Sequence, residues 1–458
     1  MGLPTFAALK LRYTENDFMD IFIQATQFLL SLSLLIILHE MGHFIPAKIF
    51  KTKVEKFYLF FDYKFSLLKK KIGETTYGIG WIPLGGYVKI AGMIDESMDK
   101  EQMKSVPQPW EFRAKPAWQR LIIMVGGVTV NVILAMIIYA GILMYYGETY
   151  LPANEVKYGI AAAPEAQDVG LQNGDRILSI DGKEPERFSD IMLELLLGDG
   201  GQVTLLRNGN KETIHLSDSA KGTLIAARSA LIQPRIPYIA GAFTDTSVAK
   251  AAGMKVGDSI AALNGKEMLF FDQYIEAVPQ YKNQEINLTV YRDGQPRELN
   301  MTVPNHGKIG VSIQGFTYDR FFNMQTKIYG FWEAIPAGIS MAGDKLTNYV
   351  RQFKLIFNSE TGAYKQLGGF LTIANQYSTS WDWHRFWNFT AFLSLMLAFL
   401  NILPIPALDG GHVVFVLWEM ISGKKPPEKV LEYAQIVGFV ILLALLLLAN
   451  GNDILRLF

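Results

Sequence analysis

The chain contains no cysteine, which excludes disulfides, thiolate metal sites and cysteine nucleophiles. It also lacks an excess of charge of either sign, since 43 basic and 43 acidic residues cancel. A balanced chain offers no electrostatic footprint for a polyanion, so nucleic acid is not an expected partner. Histidine is scarce: among 458 residues there are six, His39, His43, His215, His306, His384 and His412. Any imidazole-based metal site must be drawn from that short set.

Charge is missing locally as well. Half of the residues are apolar, and four stretches reach or approach the about 20 apolar residues that a membrane span needs. They are Ile21–Leu38, Leu121–Tyr146, Phe386–Leu403 and Ile436–Leu448, the last extending back through Val430. A buried core helix is the competing reading for each. No basic segment leads into the first run and no small-residue cleavage site follows it, so it is read as a retained span. Lysines crowd the loop after it, at Lys48, Lys51, Lys53, Lys56, Lys69, Lys70, Lys71, Lys100 and Lys104, and recur at Lys424, Lys425 and Lys429 before the fourth run. Basic loops stay in the cytoplasm. The expected class is therefore a polytopic α-helical membrane protein with about four spans, and in a bacterial cell the region between the second and third spans would be periplasmic.

That central region is polar, glycine-rich and repeated. Gly170-Leu171-Gln172-Asn173-Gly174-Asp175-Arg176-Ile177 returns as Gly253-Met254-Lys255-Val256-Gly257-Asp258-Ser259-Ile260, and Asp181-Gly182-Lys183-Glu184 returns as Asn264-Gly265-Lys266-Glu267. Each copy then carries a hairpin signal, Asn208-Gly209 and Asp293-Gly294, of the kind that favours a type I′ turn. The repeat resembles the PDZ domain. The resemblance implies two β-rich modules that bind a peptide as an added strand and capture its C-terminus. The groove-forming strands are expected to follow Tyr158-Gly159-Ile160 and Tyr238-Ile239-Ala240; rigid spacers without a bound peptide are the alternative. Beyond them, Met324–Phe357 reads as an amphipathic helix on the membrane surface, with an ordinary helix packed on the second module as its rival. The resulting organisation is residues 1–150 for the first two spans and their loop, 151–225 and 226–316 for the two modules, 317–385 for a helical linker, and 386–458 for the last two spans.

The sharpest chemical signal is His39-Glu40-Met41-Gly42-His43. Positions i and i+4 share one helix face, so both imidazoles can reach one metal ion, with Glu40 placed to move a proton. Zinc lowers the pKa of water to about 7, which suits attack on a carbonyl. Ionisable groups at membrane depth are costly and point to function. Catalytic zinc takes three protein ligands, and the third candidate lies far along the chain. In Asn401-Ile402-Leu403-Pro404-Ile405-Pro406-Ala407-Leu408-Asp409-Gly410-Gly411-His412, two prolines break a helix at the depth expected for His39 and His43. Asp409 stands at that break. A helix cap for Val413–Ile421 is the competing role for Asp409, and His412 is a rival ligand; His384 lies at the opposite membrane face.

Taken together, these motifs and their order resemble the site-2 protease family, in its bacterial form with tandem PDZ domains. The resemblance spans the whole chain. It implies zinc bound by His39, His43 and Asp409, Glu40 as catalytic acid/base, and Asn401 in contact with substrate or developing charge. It implies that Asn131, in Gly126-Gly127-Val128-Thr129-Val130-Asn131, is a donor near the site; a structural helix–helix hydrogen bond is the alternative. Val128 stands where the family carries proline. Ile82-Pro83-Leu84-Gly85-Gly86-Tyr87-Val88-Lys89 resembles the family's membrane-associated β-hairpin, which makes Gly85 and Gly86 candidates for holding substrate as an extended strand. Phe60-Phe61-Asp62 departs from the family's Gly-Phe-Gly. The implied substrates are single-span membrane proteins, with anti-sigma factors and leftover signal peptides as classes. A scaffold without protease activity and a metal transporter are the rival functions; a transporter would need more ionisable residues along the spans.

Overall fold

The computed structural model describes residues 15–83, 85–93, 106–227, 230–313 and 318–455. Leu84, Lys100 and Lys104 lie outside them. Two compact units emerge. One holds the chain up to Gly147 with Ile328–Phe353 and the residues from Leu367 onward; the other holds Glu148–Lys327 with Lys354–Gln366. The expected linker of residues 317–385 is thus shared between the two units rather than standing alone.

The first unit is built on helices. Helix α1 is Glu15–Ile49 and α2 is Ala117–Tyr146. Between them lie β1 (Val54–Leu59), β2 (Leu68–Ile72), β3 (Thr75–Ile79) and β4 (Tyr87–Ile90). These form one mixed sheet in the order β2-β3-β1-β4. The expected hairpin is therefore only part of a larger sheet: β2 and β3 turn through Gly73, but β1 runs parallel to β3, and β4 closes antiparallel on β1 as an edge. Ala47, Val54, Ile90, Phe112, Ile123, Met124 and Val413 form a common core under this sheet.

The second unit contains the repeat. In the first copy, β5 (Glu148–Tyr150), β6 (Ile160–Ala162), β7 (Arg176–Ile180), helix α3 (Phe188–Leu197), β8 (Gln202–Arg207), β9 (Asn210–His215) and β10 (Ile232–Pro234) follow in order. In the second copy come β11 (Ala240–Phe243), β12 (Ser259–Leu263), β13 (Lys266–Glu267), helix α4 (Phe271–Ala277), β14 (Glu285–Arg292), β15 (Gln295–Thr302) and β16 (Val311–Ile313). β17 (Gln325–Lys327) then returns to pair with β5. Because β10 pairs with β6, the first module runs to Pro234, past the expected boundary at residue 225. Both hairpin turns have positive φ at their two central residues, Asn208 and Gly209, Asp293 and Gly294, as a type I′ turn requires.

The expected groove strands are corrected by the pairing. Ile160 donates its N–H to Asp175 C=O at 2.9 Å and accepts from Gly174 N–H at 2.8 Å, while β10 occupies the other side of β6. Ala240 repeats this with Asp258 and Gly257, and β16 occupies the other side of β11. Tyr158, Gly159, Ile160, Tyr238 and Ile239 therefore do not lead into an open edge, and Tyr238 is fully buried against Phe271 and Tyr274. Within these two strand pairs the open edges are those of β10 and β16.

The remaining helices are α5 (Phe331–Phe357), which belongs to the first unit as far as Phe353, and α6 (Trp383–Ile402), α7 (Asp409–Ser422) and α8 (Glu428–Leu455), which complete that unit. The start of the expected amphipathic helix is strand β17 instead. Helix α5 packs on helices of the first unit: Gly338 meets the Ala140 backbone, and Tyr349 O–H donates to Phe392 C=O at 3.0 Å. Helices α1, α2, α6 and α8 each contain a stretch long and apolar enough to cross a membrane.

Each module is clamped at the same place. Arg207 donates to both Asp175 carboxylate oxygens and to Gly170 C=O; Arg292 does the same to Asp258 and Gly253. Burial opposes ionisation of Asp258, but hydrogen bonds from Arg292 and Lys255 N–H, with the Arg292 charge, hold its carboxyl below the usual range. A folded-state pKa below the unfolded one adds stability that is present above the ordinary value of about 4 and is lost as pH falls through the folded value. Replacing Arg292 by Met should therefore speed deuterium uptake across residues 286–290 at pH 7, relative to the unaltered protein, and the difference should shrink as pH falls below the ordinary carboxyl value of about 4.

Candidate metal centre

His39 and His43 lie one turn apart on α1, with ring centroids 4.9 Å apart and planes crossed at 83°. Their Nε2 atoms are 3.3 Å from each other. Pro46, one turn on, has no N–H to give to Gly42 C=O, the acceptor four residues back. That freed carbonyl meets α2: a Cβ on Gly126 would lie 2.0 Å from it, and one on Gly42 would lie 2.4 Å from Gly126 O. Only glycines permit this crossing.

The distant half arrives through a break. Helix α6 ends at Ile402, an extended turn carries Ala407 at φ +84°, and α7 starts at Asp409. A Cβ on Gly410 would strike Leu403 O at 2.2 Å, and one on Gly411 would strike Ile405 O at 2.6 Å, so the turn can fold back only over glycines. Leu408, not Asp409, is the N-cap, and no side chain caps the helix. The competing cap role is thus not the one Asp409 takes. Its Oδ2 lies 3.2 Å from His39 Nε2 and 3.3 Å from His43 Nε2, buried and without a hydrogen-bond donor. Three ligand atoms in a triangle of 3.2–3.3 Å match the spacing around a tetrahedral ion with bonds of about 2.0–2.1 Å.

The surroundings orient the rings. His43 Nδ1 is 2.8 Å from Ile123 C=O; a carbonyl can only accept, so Nδ1 carries the proton and Nε2 presents its lone pair inward. The Asn131 amide lies 3.1 Å from His39 Nδ1, and Asn131 Oδ1 is otherwise unpartnered. With Oδ1 turned to accept from Nδ1–H, that oxygen is satisfied and His39 Nε2 is freed as well. Asn131 is fully buried, and Ser394 Oγ donates to its carbonyl at 2.8 Å. Asn401 Nδ2 lies 3.2 Å from His39 Nε2, on the face shared with Asp409. A Cβ on Gly86 would sit 2.5 Å from Ile36 Cγ2 and 3.5 Å from Glu40 Cγ, so the chain entering β4 passes directly over Glu40. Gly85 stands one residue back, against the Phe61 ring. Asp62 accepts from Tyr87 O–H at 2.8 Å and pairs with Lys56 at 3.6 Å, which pins the start of β4.

The other histidines stand elsewhere. Among the described residues, only His39, His43 and Asp409 bring three ligand atoms together. His412 lines a cavity with Arg120 and Glu419, and His384 packs on Tyr146 at the far end of α6. The residues that sequence reasoning missed are Gly127 and Ile123. A Cβ on Gly127 would lie 2.4 Å from His43 Nε2 and 2.6 Å from His39 Cε1, so this glycine is the floor of the site. The paired glycines in a 30-residue apolar helix were the available signal. Changing Gly127 to Ala should lower bound zinc and proteolysis by about 10–100-fold, measured by elemental analysis of the purified protein and by turnover.

Known proteins resemble this chain along nearly its whole length. The Peptidase family M50 profile matches residues 27–445. A protein named as a zinc metalloprotease in Rickettsia conorii is 30% identical over 94% of this chain and 98% of its own length. Another so named in Vibrio cholerae is 28% identical over 96% and 100%. The Regulator of sigma E protease of Haemophilus influenzae is 28% identical over 94% and 98%. With apolar helices carrying a His-His-Asp cluster, and with this match along nearly its whole length, the chain belongs to peptidase family M50, the site-2 proteases, and is a zinc-dependent membrane protease.

Proposed function

We propose that the protein cuts a peptide bond in or next to the transmembrane segment of single-span membrane proteins, with zinc on His39, His43 and Asp409. The convergence of three buried acceptor atoms, 3.2–3.3 Å apart, two of them on a helix long enough to span a membrane, carries this reading. Bound there, the ion supplies Lewis acidity, acidifying water and polarising the peptide carbonyl. Glu40 accepts the proton of the attacking water and returns it to the departing amide nitrogen. Asn401 Nδ2 donates to the carbonyl oxygen as negative charge grows on it. A helical substrate must first be drawn out, and the free edge of β4, running beside Glu40, holds it as an added strand past Gly85 and Gly86.

The name of the Haemophilus relative links that protein to sigma E. Anti-sigma factors and remnant signal peptides are the substrates we infer here. The two repeat modules are PDZ domains that recognise or sieve substrates already trimmed outside the membrane, and peptide C-termini enter at the open edges of β10 and β16. The protein resides in a bacterial inner membrane, with the lysine-rich strand β2 in the cytoplasm and the modules in the periplasm.

Two measurements test this. The variant Glu40→Gln should lose at least about 100-fold in cleavage of a single-span substrate in cells while keeping its zinc; normal cleavage would end the proposed mechanism. Because the chain has no cysteine, single cysteines report sidedness cleanly. Asn208→Cys should react with an impermeant maleimide added to cells with a permeabilised outer membrane, whereas Lys70→Cys should react only after the inner membrane is opened.

A further inference from the structure

The two modules differ at one edge, and the difference leaves a cavity. In the second, Tyr238 donates its N–H to Leu269 C=O, its C=O accepts from Ile260 N–H at 2.9 Å, and Ile239 bridges to Ser259. The edge of β12 is thereby covered by the chain itself, and the Tyr238 ring lies 5.1 Å from Phe271 and 4.5 Å from Tyr274. In the first module the bond from Ala153 N–H to Glu186 C=O places Ala153 at the Tyr238 station. Six residues, Asn154–Gly159, then stand where the second module has Ile239 alone, before Ile160 rejoins the common framework. This longer segment swings away, and its aromatic residue, Tyr158, packs on Phe270 and Phe322 instead.

The result is a cavity of about 280 Å³ between Ala153 and the uncovered edge of β7. Phe188 and Ile191 line it; they are the counterparts of Phe271 and Tyr274, which grip Tyr238. Among the described residues, no backbone C=O takes the place of Tyr238 opposite Ile177 N–H. The second module also satisfies Ala261 C=O with Met268 N–H. The first has Pro185 at that position, with no N–H to give, so Leu178 C=O faces the cavity edge unpaired by that route.

We propose that this cavity is a docking site for an extended peptide segment bearing an aromatic side chain. The segment adds along β7 between Ile177 and Leu178, and its ring fills the slot left by the Tyr-to-Ala difference. The repeat itself supplies the template for the occupant: a Tyr-Ile-Ala strand already fills the equivalent place in the second module. The site is separate from the β10 edge and from the metal centre, so its test reads binding rather than proteolysis.

The probe is a labelled, capped peptide copying residues 236–242 of this chain, added to the full-length protein in detergent micelles. Its fluorescence anisotropy should rise on binding, and deuterium uptake at residues 176–179 should slow. The same peptide with Ala for Tyr should bind at least about tenfold more weakly. Ala153→Tyr should fill the slot and abolish binding. The uptake is measured on the unaltered protein, so it decides the matter even if that variant folds poorly. Absence of binding at millimolar peptide, protection confined to residues 232–234, or binding that survives Ala153→Tyr would each overturn the proposal.

Discussion

Three acceptor atoms share one small buried volume, and none can donate to another. With the protons of His39 and His43 held on their Nδ1 atoms, both Nε2 lone pairs and the Asp409 carboxylate face inward. Left alone, that cluster is repulsive and desolvated, a combination that folding does not tolerate cheaply. A divalent cation held by all three atoms would replace their mutual repulsion with attraction. The close crossing of α1 with α2, the break between α6 and α7 and the buried Asn131 are arranged around that single requirement.

Helix α2 does most of the arranging. Gly126 lets α1 approach to backbone contact, Gly127 leaves room for both imidazoles, Ile123 C=O orients His43, and Asn131 orients His39. At its start, Arg120 donates to Glu419 of α7 at 2.5 Å, a largely buried ion pair. Such a pair contributes little net stability against a well-packed apolar alternative, but it fixes register because either charge alone is costly. One helix thus holds both halves of the metal centre. The first and third spans also touch, through Leu35 against Phe386 and Leu393.

What could be read from the sequence was whatever is local. His39 and His43 share a face because the helix period dictates it, and Asp409 stands out because prolines and glycines break the chain beside it. Four apolar runs marked the four helices long and apolar enough to cross a membrane. What depended on distant pairing was not legible. The parallel union of β1 with β3 joins segments that no hairpin rule connects. Gly127 is an ordinary glycine until another helix crosses it. The open strand edges moved from β6 and β11 to β10 and β16 because an edge is defined by what is absent on one side, and that requires the whole sheet. Matching Tyr158 to Tyr238 by local likeness concealed the longer segment that makes Ala153 the true counterpart.

The repeat shows why such divergence is permitted. Each module is locked by an arginine that grips a buried aspartate and a glycine carbonyl, Arg207 on Asp175 and Gly170, Arg292 on Asp258 and Gly253. That clamp joins β8 to the turn before β7, and β14 to the turn before β12. It makes no use of the opposite edges of β7 and β12. An edge outside the clamp can lengthen at small cost, because loop-closure entropy grows only slowly with length. Losing a buried tyrosine ring costs more, about 1.5–3 kcal/mol by the scale for large apolar side chains. A repeat that merely spaced two parts of the molecule would gain nothing by giving that up in one copy. A module that must receive a strand from outside gains the place to put it.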